Sequence, residues 1–131
     1  MYSNSRILVA GCGAIGSVFG CLLREAGHTV ALLGRESHLK AIHTSGLKLD
    51  GIWGDHYADG FELATRANEL SSIYDLALIS VKAYDTESMA RQIASVIDRD
   101  GLVLSLQNGL GNIEILAEIF GAERSLGANV L

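Results

Sequence analysis

Apolar residues along this chain gather in short continuous runs, and each run is followed by a stretch in which they recur at helical spacing. The first run is Ile7-Leu8-Val9-Ala10. Consecutive apolar residues without alternation are expected of a parallel strand covered on both faces. Ile15, Val18, Phe19, Leu22 and Ala26 follow at helical spacing and predict a helix with those residues on its apolar face. Gly27 stands where a helix C-terminal cap belongs.

The pattern then repeats. Thr29 to Leu33 predict a second buried strand, ended by Gly34, Arg35 and Glu36. Residues 36–43 predict a short helix that Ser45-Gly46 breaks. Over 47–63 the pattern changes: Leu47-Lys48-Leu49-Asp50 alternates apolar and polar, as a strand with one wet face does. A turn at Trp53-Gly54-Asp55 would return the chain through His56 to Phe61, and Asp50-Gly51 is a competing turn, so the register stays open. Residues 64–71 read as a short helix or loop. Leu76 to Val81 predict a further buried strand ending at Lys82. Asp85 is the expected cap of a helix through about Ile97, with Met89, Ile93, Val96 and Ile97 on one face. Gly101 opens a strand, Leu102 to Leu106, that ends in Gln107-Asn108-Gly109. Asn112 is the expected cap of a helix carrying Ile115, Leu116, Ile119 and Phe120, closed by Gly121, and Arg124 to Leu131 predict a last strand. Alternation of strand and helix predicts an α/β fold: a doubly wound, mostly parallel sheet with a small β-hairpin insertion.

The turn between the first strand and helix carries Gly11, Gly13 and Gly16 in the spacing G-x-G-x-x-G. Alone that motif is weak, but here it has a strand before it and a helix after it, which is the context a dinucleotide-binding loop requires. The first glycine allows the tight turn and the second lets a pyrophosphate approach the backbone. The third, with Gly20 one turn on, lets the helix lie close to the sheet. The free N–H groups and positive end of the helix then face the phosphate charge.

Composition narrows this reading. With 131 residues, 49% of them apolar, the chain is long enough for one domain with a real core. The formal net charge of −5 and the absence of any basic run argue against broad nucleic-acid binding. Cys12 and Cys21 lie in the same strand–loop–helix unit and make no disulfide framework, so a reduced cytoplasmic protein is the simpler account. Cys12 is expected to be a small residue filling a tight turn rather than a reactive thiol. His28, His38, His43 and His56 are scattered and predict no metal site. No apolar run approaches the ~20 residues that span a bilayer, and MYSNSR lacks the apolar core of a signal peptide.

In an open parallel sheet, ligands bind at the carboxyl ends of the strands. At the end of the second strand, NAD sites place an acidic residue that accepts from the ribose 2′-hydroxyl. Here that position is Gly34, followed by Arg35. Glycine removes the carboxylate that would repel a 2′-phosphate, and a guanidinium binds phosphate through two parallel hydrogen bonds, so NADP(H) is expected over NAD(H). The competing reading has Arg35 as a solvated charge and Glu36 as the acidic residue. Lys82 closes the next strand, at the cofactor edge, where it would contact ribose, phosphate or a substrate carboxylate. Asn108 closes the one after; its amide can donate to ribose, the nicotinamide carboxamide or a substrate carbonyl.

Taken together, GCGAIG, LLGR, VKAYDT and QNGLG, in that order, resemble the N-terminal domain of the ketopantoate reductase (2-dehydropantoate 2-reductase) family, and the hairpin fits as well. The resemblance covers essentially the whole chain. It implies a Rossmann-type NADP-binding domain over residues 1–131 and NADPH-dependent reduction of 2-dehydropantoate to pantoate, on the route to pantothenate and coenzyme A. By position, the glycine loop Gly11, Cys12, Gly13, Ala14, Ile15 and Gly16 would hold the pyrophosphate and Arg35 the 2′-phosphate. Lys82 and Asn108 would line the nicotinamide end and the substrate. The family's general-acid lysine and substrate-binding glutamate belong to a C-terminal helical domain, and no residue here matches them, so no catalytic residue is assigned. The expected partners are a small 2-oxo acid substrate and that further domain, with a homodimer left open and neither nucleic acid nor membrane expected. On this reading the chain alone binds cofactor and turns over little. Two alternatives remain at this stage: a stand-alone NADP-binding or redox-sensing module, and a related dehydrogenase acting on another 2-oxo acid or on a sugar or polyol phosphate.

Overall fold

In the computed structural model, residues 4–51, 54–82, 85–107 and 112–128 are described. The chain order is β1 (Arg6–Ala10), α1 (Ala14–Glu25), β2 (Thr29–Leu33), α2 (Glu36–Ser45), β3 (Leu47–Leu49), β4 (His56–Ala58) and β5 (Glu62–Ala64). It continues through β6 (Tyr74–Ile79), α3 (Thr86–Ile93), β7 (Ile97–Ser105), α4 (Asn112–Phe120) and β8 (Ser125–Gly127). Six strands form one sheet in the order β5-β2-β1-β6-β7-β8, and every pairing in it is parallel. The order reverses at β1, which lies between β2 and β6, so the carboxyl end of β1 is the topological switch point where such sheets bind ligands.

The strands bury both faces, and their alternation sorts the core into two layers. Leu8, Ala10, Ala31, Leu33, Ala77 and Ile79 face α3 and α4, meeting Ala90, Ile93, Leu116 and Phe120. Ile7, Val9, Val30, Leu32, Leu76 and Leu78 face the other way, toward Cys21, Leu39 and Ile42 of α1 and α2. Ile7, Leu8 and Val9 have no exposed surface, and full burial of each such side chain contributes roughly 1.5–3 kcal/mol.

The antiparallel pair β3–β4 stands apart from this sheet, in the register Leu47↔Ala58, Lys48↔Tyr57, Leu49↔His56. It packs on α1: Cys21 Sγ donates to Leu47 O at 3.6 Å, Arg24 Nε donates to Asp59 O at 2.9 Å, and His56 Nδ1 lies 2.6 Å from Glu25 Oε1. That register centres the connection between the two candidate turns, on residues 52 and 53, which lie outside the described residues. Gly54 N donates to Gly51 O at 3.0 Å within that connection.

Several elements differ from expectation. α1 presents Gly16, Ser17, Gly20 and Cys21 to the sheet as its buried residues, while Ile15 is 37% exposed, Val18, Phe19 and Leu22 are half-buried and Ala26 is exposed. Close approach to the sheet selects small side chains: a Cβ on Gly20 would lie 3.0 Å from Leu32 Cδ2. Residues 62–64, expected at the junction of the hairpin stretch 47–63 and the helix or loop 64–71, add a parallel edge strand beside β2. α3 stops at Ile93, a single 3-10 turn covers Ala94–Val96, and Ile97 already pairs with Tyr74 in β7. Asp85 occupies the N-cap position of α3 without a side-chain capping bond, and Asn112 lies inside α4, whose N-terminal neighbours 108–111 are outside the described residues. Of the strand expected over Arg124 to Leu131, Ser125–Gly127 is strand, after a 3-10 turn at Ala122–Arg124, and residues 129–131 lie outside the described residues.

The expected cap at Gly27 is present. Gly27 has φ +102; its N–H donates to Arg24 O at 3.0 Å and that of His28 to Leu23 O at 3.2 Å, a Schellman closure of α1.

Candidate functional site

The site grows out of the turn after β1. Gly11 takes φ +101, and a Cβ there would lie 2.7 Å from Val81 Cγ1 and 2.9 Å from Val81 N, so both conformation and space require glycine. Its N–H donates to Leu33 O at 2.9 Å, while Ser80 N donates to Ala10 O at 3.0 Å. The turn is thus stitched to the ends of both neighbouring strands. Ser80 also donates its hydroxyl to the Gly11 carbonyl. Gly16 packs directly over this seat: a Cβ on it would run into Gly11 O and lie 2.6 Å from Ser80 Oγ.

Gly13 is different in kind. Its φ is −88, open to any residue, and a Cβ there would meet nothing within 4 Å. Nothing inside the protein explains a glycine at this position. Gly13 lines an open cleft, and a ligand passing close to the backbone is what a side chain here would obstruct. Gly13 is also the N-cap residue of α1, with no side-chain cap and no acidic residue in the first turn. The first turn of α1 thus sets no acidic side chain of its own against its free amides and the positive end of its dipole, as suits an anion-binding helix end.

The cleft has a volume of about 710 Å³ and follows the carboxyl edge of the sheet. Gly11, Cys12 and Gly13 line it from the first turn, Gly34, Arg35, Glu36 and His38 from the end of β2 and start of α2, and Thr65 and Arg66 from the end of β5. Ser80, Val81, Lys82 and Asp85 close it beyond β6, with Met89 and Gln92 of α3. Its volume falls in the range of small-molecule and cofactor sites, roughly 300–1,000 Å³. Although the chain carries a net charge of −5, the exposed side chains of Arg35, Arg66 and Lys82 all reach this one opening. Glu36 and Asp85 line it too, so cations outnumber carboxylates by three to two, which favours anions at the cleft against the charge of the whole protein.

The structure therefore brings Gly11, Cys12, Gly13, Arg35 and Lys82 together. Ala14 and Ile15 are exposed on the first turn of α1, and Gly16 is buried beneath the loop. Asn108 lies outside the described residues. Cys12 is 6% exposed, with Sγ 3.4 Å from Ser17 Oγ, and burial pushes its thiol up in pKa more than the Ser17 hydrogen bond brings it down. It is a free cysteine that fills the turn. Gly34 earns its place by contact with this residue: a Cβ on Gly34 would lie 3.0 Å from Cys12 Cβ.

Ser80, Thr65, Arg66 and Gln92 line the cleft without having been singled out in the sequence. Ser80 interrupts the apolar run Leu76 to Val81 with one small polar residue, which was the available signal. Thr65 and Arg66 follow a three-residue edge strand too short to show alternation. Their backbone is held by Glu69, whose Oε1 accepts from Thr65 N at 2.8 Å, Thr65 Oγ1 at 2.9 Å and Arg66 N at 3.2 Å. Those bonds, the one from the Thr65 amide foremost, hold the Glu69 carboxyl below its ordinary pKa. Among the described residues no helix is long and apolar enough to cross a membrane, and no group of three or more His, Cys, Asp or Glu is placed to hold a metal.

Comparison with known proteins adds an independent line. The family model for ketopantoate reductase PanE/ApbA matches residues 7–131. The 2-dehydropantoate 2-reductase of Aquifex aeolicus is 33% identical over 126 residues, covering 96% of this chain and 39% of that protein. The crystal structure of 2-dehydropantoate 2-reductase from Geobacter metallireducens superposes with a TM-score of 0.80 at 35% identity, over 93% of this chain and 40% of that one. A ternary structure of D-mandelate dehydrogenase with NADH and anilino(oxo)acetate gives a TM-score of 0.80 at 30% identity, over 95% of this chain and 40% of that one. The chain thus spans about 40% of the length of the proteins it matches.

Proposed function

The chain belongs to the ketopantoate reductase family, and from that premise we propose that it is the cofactor-binding part of an NADPH-dependent reductase that converts 2-dehydropantoate to pantoate. The observation that carries the cofactor half of this reading is Gly13, a glycine that neither its φ nor any neighbour demands, at the mouth of a cleft where Arg35, Arg66 and Lys82 outnumber Glu36 and Asp85. The nicotinamide, when bound, supplies the hydride, and the protein supplies position and electrostatics.

The residues divide the work along the cleft. The turn Gly11 to Gly16 offers backbone amides and the positive end of α1 to the pyrophosphate, with Cys12 as a close-packed, unreactive wall. Arg35 takes the 2′-phosphate, and Gly34 leaves that place without a carboxylate. Lys82, on the far side of the glycine turn from Arg35, orients the ribose or the substrate carboxylate, and Asn108 donates at the nicotinamide end. The proton delivered to the substrate oxygen is assigned to a further domain of the kind that makes up the rest of the longer relatives. On this account residues 1–131 are a cofactor half-site and the substrate is enclosed between the two parts.

The likeness to D-mandelate dehydrogenase favours one second reading, reduction of a different 2-oxo acid on the same cofactor platform. Fold and cofactor loop serve both substrates equally well.

Titration of NADPH and NADH against the protein, with Arg35→Ala beside it, tests the reading. We expect NADPH to bind more tightly than NADH and the preference to shrink by about tenfold or more in the variant, since charge-assisted hydrogen bonds are worth ~1.5–3 kcal/mol. Equal affinity for the two cofactors in the parent would remove the Arg35 assignment, and binding of neither would remove the cofactor reading. Steady-state assays of the 131-residue chain with NADPH and 2-dehydropantoate are expected to show little or no turnover.

A further inference from the structure

Arg66 and Arg35 stand at equivalent places on neighbouring strands. β2 and β5 run parallel, and their last paired residues are Leu33 and Ala64. The ladder continues one step, because Gly34 N donates to Ala64 O at 3.1 Å. Counting on in that register sets Arg35 beside Arg66, on strands that lie about 4.8 Å apart. Both backbones are extended there, with φ −73 and ψ 143 at Arg35 and φ −139 and ψ 150 at Arg66, and each residue opens a helical turn.

Both side chains are exposed, both line the same cleft, and among the described residues neither guanidinium is in an ion pair. Two adjacent cations without a shared anion repel each other. The acidic residue that acts on Arg66 is Glu69, and it commits one carboxylate oxygen to the Thr65 and Arg66 backbone, which anchors the base of the Arg66 side chain without neutralising its tip by pairing. An anion with several acceptor oxygens and two charges satisfies such a pair; a ribose hydroxyl does not need it.

We propose that Arg66 is the second arm of a two-arginine clamp on the cofactor's 2′-phosphate, closing from β5 against Arg35 from β2, and so is a specificity-determining residue for NADPH. This rests on the dinucleotide reading of the cleft. Arg35 alone fixes the phosphate from one side. Arg66 makes the preference depend on β5, an edge strand whose only sheet partner among the described residues is β2.

Calorimetric titration of the parent, Arg35→Ala, Arg66→Ala and Arg66→Lys with NADPH and NADH tests the clamp. Titration with 2′,5′-ADP and 5′-AMP isolates the phosphate from the nicotinamide half. Arg66→Ala is expected to weaken NADPH and 2′,5′-ADP by about tenfold while leaving NADH and 5′-AMP within about twofold, the yield of one charge-assisted contact. Arg66→Lys is expected to fall between, because it keeps the charge and loses the fork. Each loss should diminish in high salt. If Arg35→Ala lowers the NADPH preference and Arg66→Ala does not, or if Arg66→Ala weakens all ligands equally, the clamp is overturned and the cofactor reading survives. If the parent binds none of these ligands, the cofactor reading falls and the clamp with it. Arg66 is exposed, so an unchanged thermal midpoint in Arg66→Ala checks that folding is not the cause.

Discussion

The side-chain amide of Gln107 donates to the backbone carbonyl of Val81, 26 residues earlier, and so ties the end of β7 to the residue before Lys82. The same side chain accepts from Thr86 Oγ1 at 2.9 Å and from Ser105 Oγ at 3.0 Å. Thr86 is fully buried and Ser105 is 2% exposed, so their hydroxyls depend on partners within the protein. Gln107→Leu keeps the volume and removes all three bonds. It leaves Val81 O without its present donor and the Ser105 hydroxyl without its acceptor, although Ser105 Oγ still accepts from the backbone N–H of residue 107 at 3.3 Å and Thr86 retains Asn112 Oδ1 at 3.3 Å. An expected loss of about 2 kcal/mol, from unsatisfied groups worth ~1–3 kcal/mol each, is read as a lower urea midpoint at unchanged slope. A midpoint equal to the parent's would show that the amide does not hold these two strand ends together.

Gly13→Ala and Gly16→Ala should separate binding from stability. At Gly13 alanine meets nothing and fits the φ, so unfolding free energy should hold or rise by up to about 0.5–1 kcal/mol through the less flexible unfolded chain. Cofactor affinity should fall all the same. At Gly16 the added methyl collides with Gly11 O and Ser80 Oγ, and 3.1 Å from it stands Val9 Cγ1, so a loss of about 1–3 kcal/mol is expected. Denaturant melts beside NADPH titrations of the two variants check this. Destabilisation of Gly13→Ala to the level of Gly16→Ala would show that Gly13 serves the fold rather than a ligand.

This contrast also shows how far the sequence could be read. The strands β1, β2 and β6 were legible because each carries an unbroken apolar run, although β6 starts at Tyr74 and ends at Ile79 where Leu76 to Val81 was expected, and the glycine turn was legible because its context is local. The face of α1 was not. Ile15, Val18 and Leu22 dominate the apolar pattern, yet the helix approaches the sheet so closely that Gly16, Ser17, Gly20 and Cys21 make the contact. Hydrophobicity marks large side chains, and close packing selects small ones. β5 escaped for another reason: three residues carry no period, and the partner strand lies about 30 positions upstream, so only the assembled sheet reveals that residues 62–64 are a strand and that Arg66 follows it to the cleft. The same reasoning covers α3, where the apolar spacing of Val96 and Ile97 runs on past the helix because both residues pack in the core as the chain changes to strand.

Stability at acid pH should depend on Glu62. Burial alone would push this carboxyl up in pKa, but hydrogen bonds from Tyr74 and Ser71 outweigh that and hold it below its ordinary value. The Ser71 hydroxyl donates to Oε2 at 2.7 Å, and the Tyr74 hydroxyl donates to Oε1. A carboxyl depressed in the folded state binds protons less tightly there than in the unfolded chain. Its contribution is therefore present above the unfolded value of about 4.3 and is lost as pH falls through the folded one. Tyr74→Phe removes one of the donors, so the fall in stability between about pH 5 and pH 3 should become shallower than in the parent. Urea midpoints across that range measure it; an identical acid slope in the two proteins would show that Tyr74 does not set the Glu62 pKa.

The alkaline side has the opposite sign and a different owner. Tyr74 is 1% exposed, and burial, followed by the hydrogen bond and charge of Glu62, raises its hydroxyl well above the usual tyrosine range. The folded protein then keeps the phenolic proton at a pH where the unfolded chain releases it. Stability is unaffected below about pH 10 and declines as pH rises beyond it, because ionisation pulls toward the unfolded state. Ultraviolet titration of the phenolate band should show a late component from Tyr74 that fails to ionise near pH 10 in the native protein and does so in urea, beyond the smaller upward shift that burial and Asp59 give Tyr57. Tyr74→Phe should abolish that late component and leave the remaining titration as it was. Persistence of the component in the variant would assign it to another tyrosine, and Tyr74 would then be a core side chain without a role in the pH limit of the fold.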